Sequence, residues 1–227
     1  MATQLLVTRA LNRYAEKMHF PLADLPRADQ YRLLVNTIMP RPIAWVATRD
    51  GDGRRNLAPF SFFNALCSMP PIIGVGIAPD VYRDGTVEKD SLAAIRQKGE
   101  FVVALVNEAN AEAMNLSAAN APPGVDEFEF AGLEAGEAKL VDAPTVASAP
   151  VNFECRLWQL LEPAPHTGIV LGEVVAITIA DELLGEEDGK MRIDAPAMKL
   201  IGRGHGSGWY IRSSDQMLME RKNWPVE

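Results

Sequence analysis

Apolar residues in this chain gather in short runs separated by turn signals, and the runs alternate or fill out in the way strands do. The densest pattern spans residues 40–76, PRPIAWVATRDGDGRRNLAPFSFFNALCSMPPIIGVG. Residues 43–48 form an apolar, β-favouring run closed by Asp50-Gly51-Asp52-Gly53, whose chemistry suits a two-residue hairpin turn. Residues 56–64 interleave aromatic with small polar side chains. Pro70-Pro71 then breaks the chain before residues 72–77 resume as a buried strand. Three short strands separated by turns are the expectation.

Further along, Asp90 and Ser91 are good N-caps for a helix running from Leu92 to a stop at Lys98-Gly99. Residues 101–106 predict a strand, and Asn107 caps a second helix that continues to about Leu116. Residues 121–128 are a Pro/Gly loop, of a length that commonly covers a site. Residues 140–150 read as a connecting stretch. The strict alternation in 151–157 predicts a half-exposed strand, partnered by 168–179, where Gly172 marks a bulge or a close backbone approach. Residues 185–189 form an acidic hairpin tip. Before the first strand, Leu5, Leu6, Ala10 and Leu11 fall at helical spacing, residues 21–26 read as extended, and 29–34 as a single helical turn. Short strands with two interspersed helices predict a mainly β fold with peripheral helices, a closed or nearly closed antiparallel barrel.

Composition narrows the function. Apolar residues at 48% and charged residues at 23% are ordinary for a soluble globular chain. With 22 basic against 30 acidic residues the net charge is −8, which argues against nucleic acid or an anionic membrane as the main partner. Cys67 and Cys155 are too few for a disulfide framework or a zinc site and suit a reducing compartment. No run approaches the length of a membrane span and no secretory signal is evident, so the expected location is cytoplasmic. Gly202-x-Gly204-x-Gly206-x-Gly208 is not followed by the helix and acid of a dinucleotide fingerprint. Neither a Ser-His-Asp triad nor a metal cluster is written in the chain, so no catalytic acid or base and no metal ligand is assigned. Residues 56–64 offer the mixture of aromatic, hydroxyl and amide groups that a flat, partly polar ring requires. A helix start with Lys89 and Ser91 beside it is a ready phosphate site; the bland alternative is a capped surface helix.

The run RPIAWVAT, the DG turn, NLAPFSFFNA and PPIIGV resemble the flavin reductase-like, FMN-binding split-barrel family, flavoredoxins included. Lys89-Asp90-Ser91-Leu92 with Gly99 to Val103, Met114 to Ser117 with Gly124 to Phe128, and Val151 to Leu157 with Leu171 to Val174 resemble its later blocks, in order. The resemblance implies a split β-barrel of Greek-key type over residues 29–212, between an N-terminal arm (1–28) and a tail (213–227). It implies FMN held at a homodimer interface. Ser61 would reach the phosphate or ribityl chain with Asn56 and Asn64 as neighbours, Lys89 and Ser91 would close the phosphate end, and Ala44, Trp45, Thr48 and Phe62 would border the ring. Arg203 and His205 would reach in from the late glycine-rich segment. The implied activity is an NAD(P)H-dependent flavin reductase, drawing on NADH or NADPH and serving an oxygenase or electron-transfer partner. The alternatives are an FMN-holding electron carrier of the same fold and a flavin-free interaction module.

Overall fold

The computed structural model describes residues 17–82, 85–122, 124–219, 221 and 224. The helix expected over Leu5 to Leu11 lies outside them. The chain divides into two compact units, Met1–Ile38 and Met39–Glu227. In the first, residues expected to be extended carry a 3₁₀ turn, Leu22–Asp24. The expected single turn is instead a full helix α1, Arg27–Thr37. Pro26 stands just before it, Asp29 lies in the first turn, and the helix ends short of Pro40, whose ring disfavours helix in the residue before it.

The second unit is built on one seven-stranded antiparallel sheet. Its strands are β2 (Ala44–Arg49), β3 (Arg55–Phe60), β4 (Phe62–Ser68), β5 (Pro71–Ile77), β6 (Glu100–Leu105), β9 (Val151–Ala164) and β10 (Thr167–Ile179). The ladder order is β3-β2-β6-β9-β10-β5-β4. β3 and β4 are therefore the two edges of the ladder, yet only Ser61 separates them in the chain. A sheet whose opposite edges are joined by one residue must curl until they meet. No ladder pairs β3 with β4, so the barrel stays split there. The fold is a split β-barrel, mainly β with peripheral helices.

The inside of the barrel is filled from every wall, by residues such as Val46, Phe60, Val75, Val103 and Val170, with Leu92 and Ile95 supplied by α2 (Asp90–Lys98). Alternate residues of β2 and β6 point the other way. Trp45, Ala47, Val102 and Ala104, with Leu57 of β3, form a second core under Met114 of α3 (Ala111–Ser117), Phe128 of α4 (Glu127–Phe130) and the short pair β7 (Ala135–Glu137) and β8 (Pro144–Val146). With both faces covered, β2 reads as a continuous apolar run rather than an alternating one.

Four local expectations are corrected. The Asp50 turn spans five residues between the paired Arg49 and Arg55, because the Asp50 carboxylate accepts the Asp52 and Arg54 N–H groups and builds a wider loop. The mixed stretch 56–64 is the end of one strand and the start of the next. Residues 140–150 contain β8. The alternation in β9 meets water only at Arg156: Glu154 is buried and accepts the Lys139 and Leu140 N–H groups at 3.0 and 2.6 Å, while Asn152 exchanges hydrogen bonds with Val146. Its polar residues satisfy the backbone of the segment lying over them, which a period of two cannot reveal. At Gly172 the register shifts, and a Cβ there would stand 2.5 Å from Cζ of Phe101, so both the bulge and the close approach are present.

The remaining strands are β1 (Arg41–Pro42), β13 (Ile201–Arg203) and β14 (Tyr210–Arg212), which form a three-stranded sheet, and the hairpin β11 (Leu184–Glu187) and β12 (Lys190–Ile193).

Candidate functional site

Thr48, Asn56, Lys89 and Ser91 come together where α2 begins. Asn56 is the hub. Its Oδ1 accepts the Ser91 hydroxyl at 2.6 Å and stands 3.5 Å from that of Thr48, and its Nδ2 donates to Glu127 at 3.1 Å. The same Glu127 oxygen accepts the Leu57 N–H at 3.1 Å, so a carboxylate from α4 locks β3 beneath it. Burial pushes the Glu127 carboxyl above its ordinary range, against the opposing pull of those hydrogen bonds.

Asn56, Lys89, Asp90, Ser91, Asn120 and Glu127 border a cavity of about 90 Å³. Asn56, Lys89 and Ser91 were expected from sequence, and the chemistry of the last two is more constrained than spacing suggested. Ser91 commits its proton to Asn56, so what it offers a ligand is its backbone N–H, one of those that a first helical turn leaves without an intrahelical partner. Lys89 is not an isolated positive charge: its ammonium lies 3.6 Å from the buried carboxylate of Asp80.

A second cluster centres on Arg41, which reading the sequence passed over. Its guanidinium is buried, with Nε 3.5 Å from the Ser61 hydroxyl and Nη2 donating to the Gly204 carbonyl at 3.2 Å. Arg41 thus ties the residue joining β3 to β4 to the hairpin that carries Arg203 and His205. Arg203 lies over the Tyr210 ring at 4.9 Å, and His205 stacks on Trp209 with centroids 5.3 Å apart.

The other expected residues separate. Phe62 and Asn64 are exposed on β4, Phe62 at 46%. Asn64 accepts the Ala65 N–H and does not meet Asn56. Ala44 is fully buried inside the barrel. Trp45 requires a correction: expected against a ring ligand, it is 0% exposed in the outer core, and its indole N–H donates to Ser117 at 2.9 Å. A Trp in a doubly covered strand needs a partner for its one donor, and Ser117 at the end of α3 supplies it. Thr48 is likewise enclosed.

Glu127, Asp80 and Arg41 are the site residues that pattern reading missed. Glu127 and Arg41 sat inside quoted motifs, between Asp126 and Phe128 and ahead of Pro42. Nothing in their immediate neighbours marks either charge as buried, since Arg41 stands between two exposed prolines and Glu127 beside the charged Asp126.

The model of the flavin reductase like domain matches residues 36–195. A protein of Deinococcus radiodurans, described only as uncharacterized, is 41% identical over 208 residues, 89% of each chain. The chain belongs to the flavin reductase-like domain family. Among solved structures, the Bacillus cereus nitrilotriacetate monooxygenase component B is similar at 32% identity and a TM-score of 0.80, covering 90% of this chain and 99% of that one. The Pseudomonas fluorescens 2-nitrobenzoate 2-nitroreductase is similar at 27% identity and a TM-score of 0.81, covering 92% and 99%. Family membership accounts for the order of the sequence blocks: each of the first three contributes to the Asn56 cluster or to the core behind it.

Proposed function

We propose that the chain binds FMN and works as an NAD(P)H-dependent flavin reductase. The observation that carries this reading is the α2 start in a flavin reductase-like chain, where helix N–H groups, Lys89 and a hydrogen-bonded amide–hydroxyl pair converge on one small cavity. The donor set fits a phosphate. The helix terminus contributes roughly half a positive charge and Lys89 a full one, partly offset by Asp80. At about 90 Å³ the cavity falls well below the roughly 300 Å³ of a typical small-molecule pocket, so it suits the phosphate end alone. The Ser61–Asn64 segment would meet the remainder.

Bound flavin supplies the redox chemistry, accepting a hydride and passing electrons on. The chain's own part is to bind and orient. Ser91 and Lys89 hold the anionic end, Asn56 and Glu127 fix Ser91, and Arg41 fixes Ser61. A second copy of the chain would complete the site across the exposed apolar side chains of β4 and β10. The similarity to a monooxygenase component B supports an oxygenase as recipient of the reduced flavin.

Lys89→Ala is expected to weaken FMN by about 1–3 kcal/mol, the range of a charge-assisted hydrogen bond, and to leave riboflavin nearly unchanged. Fluorescence titration of both ligands checks it; equal losses would mean that Lys89 does not meet the phosphate. Anaerobic bleaching of the yellow protein by NADH or NADPH distinguishes a reductase from a carrier that lacks nicotinamide turnover.

A further inference from the structure

We infer that the β13–β14 hairpin is a docking point for the adenine–diphosphate portion of the nucleotide that donates the hydride, an inference that rests on the flavin reductase reading above. Three observations converge on it. First, Arg203 has no carboxylate partner among the described residues. In this chain that is unusual: Arg49, Arg54, Arg55, Arg96, Arg156 and Arg212 each meet an acid. Arg203 instead lies on the Tyr210 ring at 4.9 Å, which orients the guanidinium without neutralising it. In a protein of net charge −8, an oriented and unneutralised guanidinium is suited to receive an anion.

Second, His205 and Trp209 are stacked at 5.3 Å with 26° between their planes, yet Trp209 remains 62% exposed. The pair is ordered without being buried, which leaves aromatic surface open to a further planar ring. The turn between them is shaped by Gly206 at φ 57° and Gly208 at φ 82°, left-handed values that side-chain-bearing residues rarely adopt.

Third, the hairpin is anchored beside the residues assigned to the flavin. The Gly204 carbonyl accepts from Arg41, whose other end reaches Ser61. A ring on Trp209 and a diphosphate on Arg203 would place the donor next to the junction of β3 and β4. Arg203 and His205 therefore act on the exchangeable nucleotide rather than on FMN, the role that the family resemblance implied for them.

ADP-ribose is the probe, because it carries the adenine and the diphosphate but no redox ring. Calorimetric titration of the FMN-saturated protein is expected to show binding that Arg203→Gln and Trp209→Ala each weaken by roughly tenfold or more. FMN affinity, measured separately, should stay within about twofold, well under 1.4 kcal/mol. Unchanged ADP-ribose binding in both variants overturns the inference. So does a parallel loss of FMN affinity, which would return the hairpin to the flavin site. Benzoate tests the other source of a ring with an anion: if benzoate binding responds to the variants and ADP-ribose binding does not, the hairpin serves an aromatic acid and the donor assignment is wrong. Should the protein fail to take up FMN at all, the flavin reading falls, and titration of the flavin-free chain with ADP-ribose still decides this one.

Discussion

The barrel has two outer walls that share a strand pattern and differ in what lies on them. Over β3, β2 and β6, Leu57, Trp45, Ala47 and Val102 are covered by α3, α4 and the β7–β8 pair, and all four are fully buried. Over β4, β5, β10 and the far half of β9 no described helix of the second unit forms such a layer. One row across these strands runs Phe62, Gly76, Ile169 and Leu161, with Phe62, Ile169 and Leu161 exposed. Gly74 and Gly76 keep that wall low, and a Cβ on Gly74 would stand 2.5 Å from Leu66. One wall is finished by its own chain. The other has the apolar character of a covered wall without the cover, as expected of a surface that a partner completes.

The largest test of the contrast is thermodynamic. Phe128→Ala on the covered wall removes a fully buried ring and should destabilise by about 3–5 kcal/mol. Phe62→Ala on the bare wall should cost clearly less in the isolated chain, under about 2 kcal/mol, since the residue is already 46% exposed. Denaturant titrations of both variants compare them directly, and similar losses would erase the distinction.

A second test sharpens what the bare wall is for. Leu66→Asp puts a charge on the exposed strand β4 and should convert a dimeric chain to a monomer in sedimentation, with FMN affinity falling alongside. A wild-type chain that is monomeric across micromolar concentrations would remove the second copy from the proposal.

The smallest expected effect concerns how the covered wall is fastened. Burial raises the Glu127 carboxyl above its unfolded value, so the folded chain holds that proton to higher pH than the unfolded one. The sign follows: Glu127 costs stability as pH rises through the interval between its unfolded and folded values, and the cost persists above it. Glu127→Gln, which can still accept from Leu57, should flatten this fall and be no less stable than wild type at neutral pH. Melting temperatures across pH 4–8 would show it; an unchanged pH profile would mean that the carboxylate is fully compensated.

Much of the frame was legible because local chemistry and final structure agree. The strand beginning near Ile43, the helix opened by Asp90 and Ser91 and stopped by Gly99, and the bulge at Gly172 all depend on nearest neighbours, turn residues and period. The site was legible only in part. Lys89, Ser91 and Asn56 were picked out as residue types, but that Ser91 donates to Asn56, 35 positions away, and that Lys89 meets Asp80 across the intervening loop, is not written in spacing or period. Trp45 shows the limit most plainly, since an apolar run gives the same pattern whether its second face meets a ligand or a helix.

By itself the sequence determined the main strands of the large sheet, the helix opened by Asp90, the antiparallel class and, through the order of its blocks, the family. Those follow from backbone preference and hydrophobic period, which act over a few residues. Only the tertiary structure decided that Ser61 joins the two edges of one ladder, that Glu154 and Asn152 face backbone rather than water, and that Arg41 meets both Ser61 and, 163 positions along the chain, Gly204. Such pairings are selected by the closing of the whole barrel, where a buried charge or amide must find its partner among whatever elements the curl brings near.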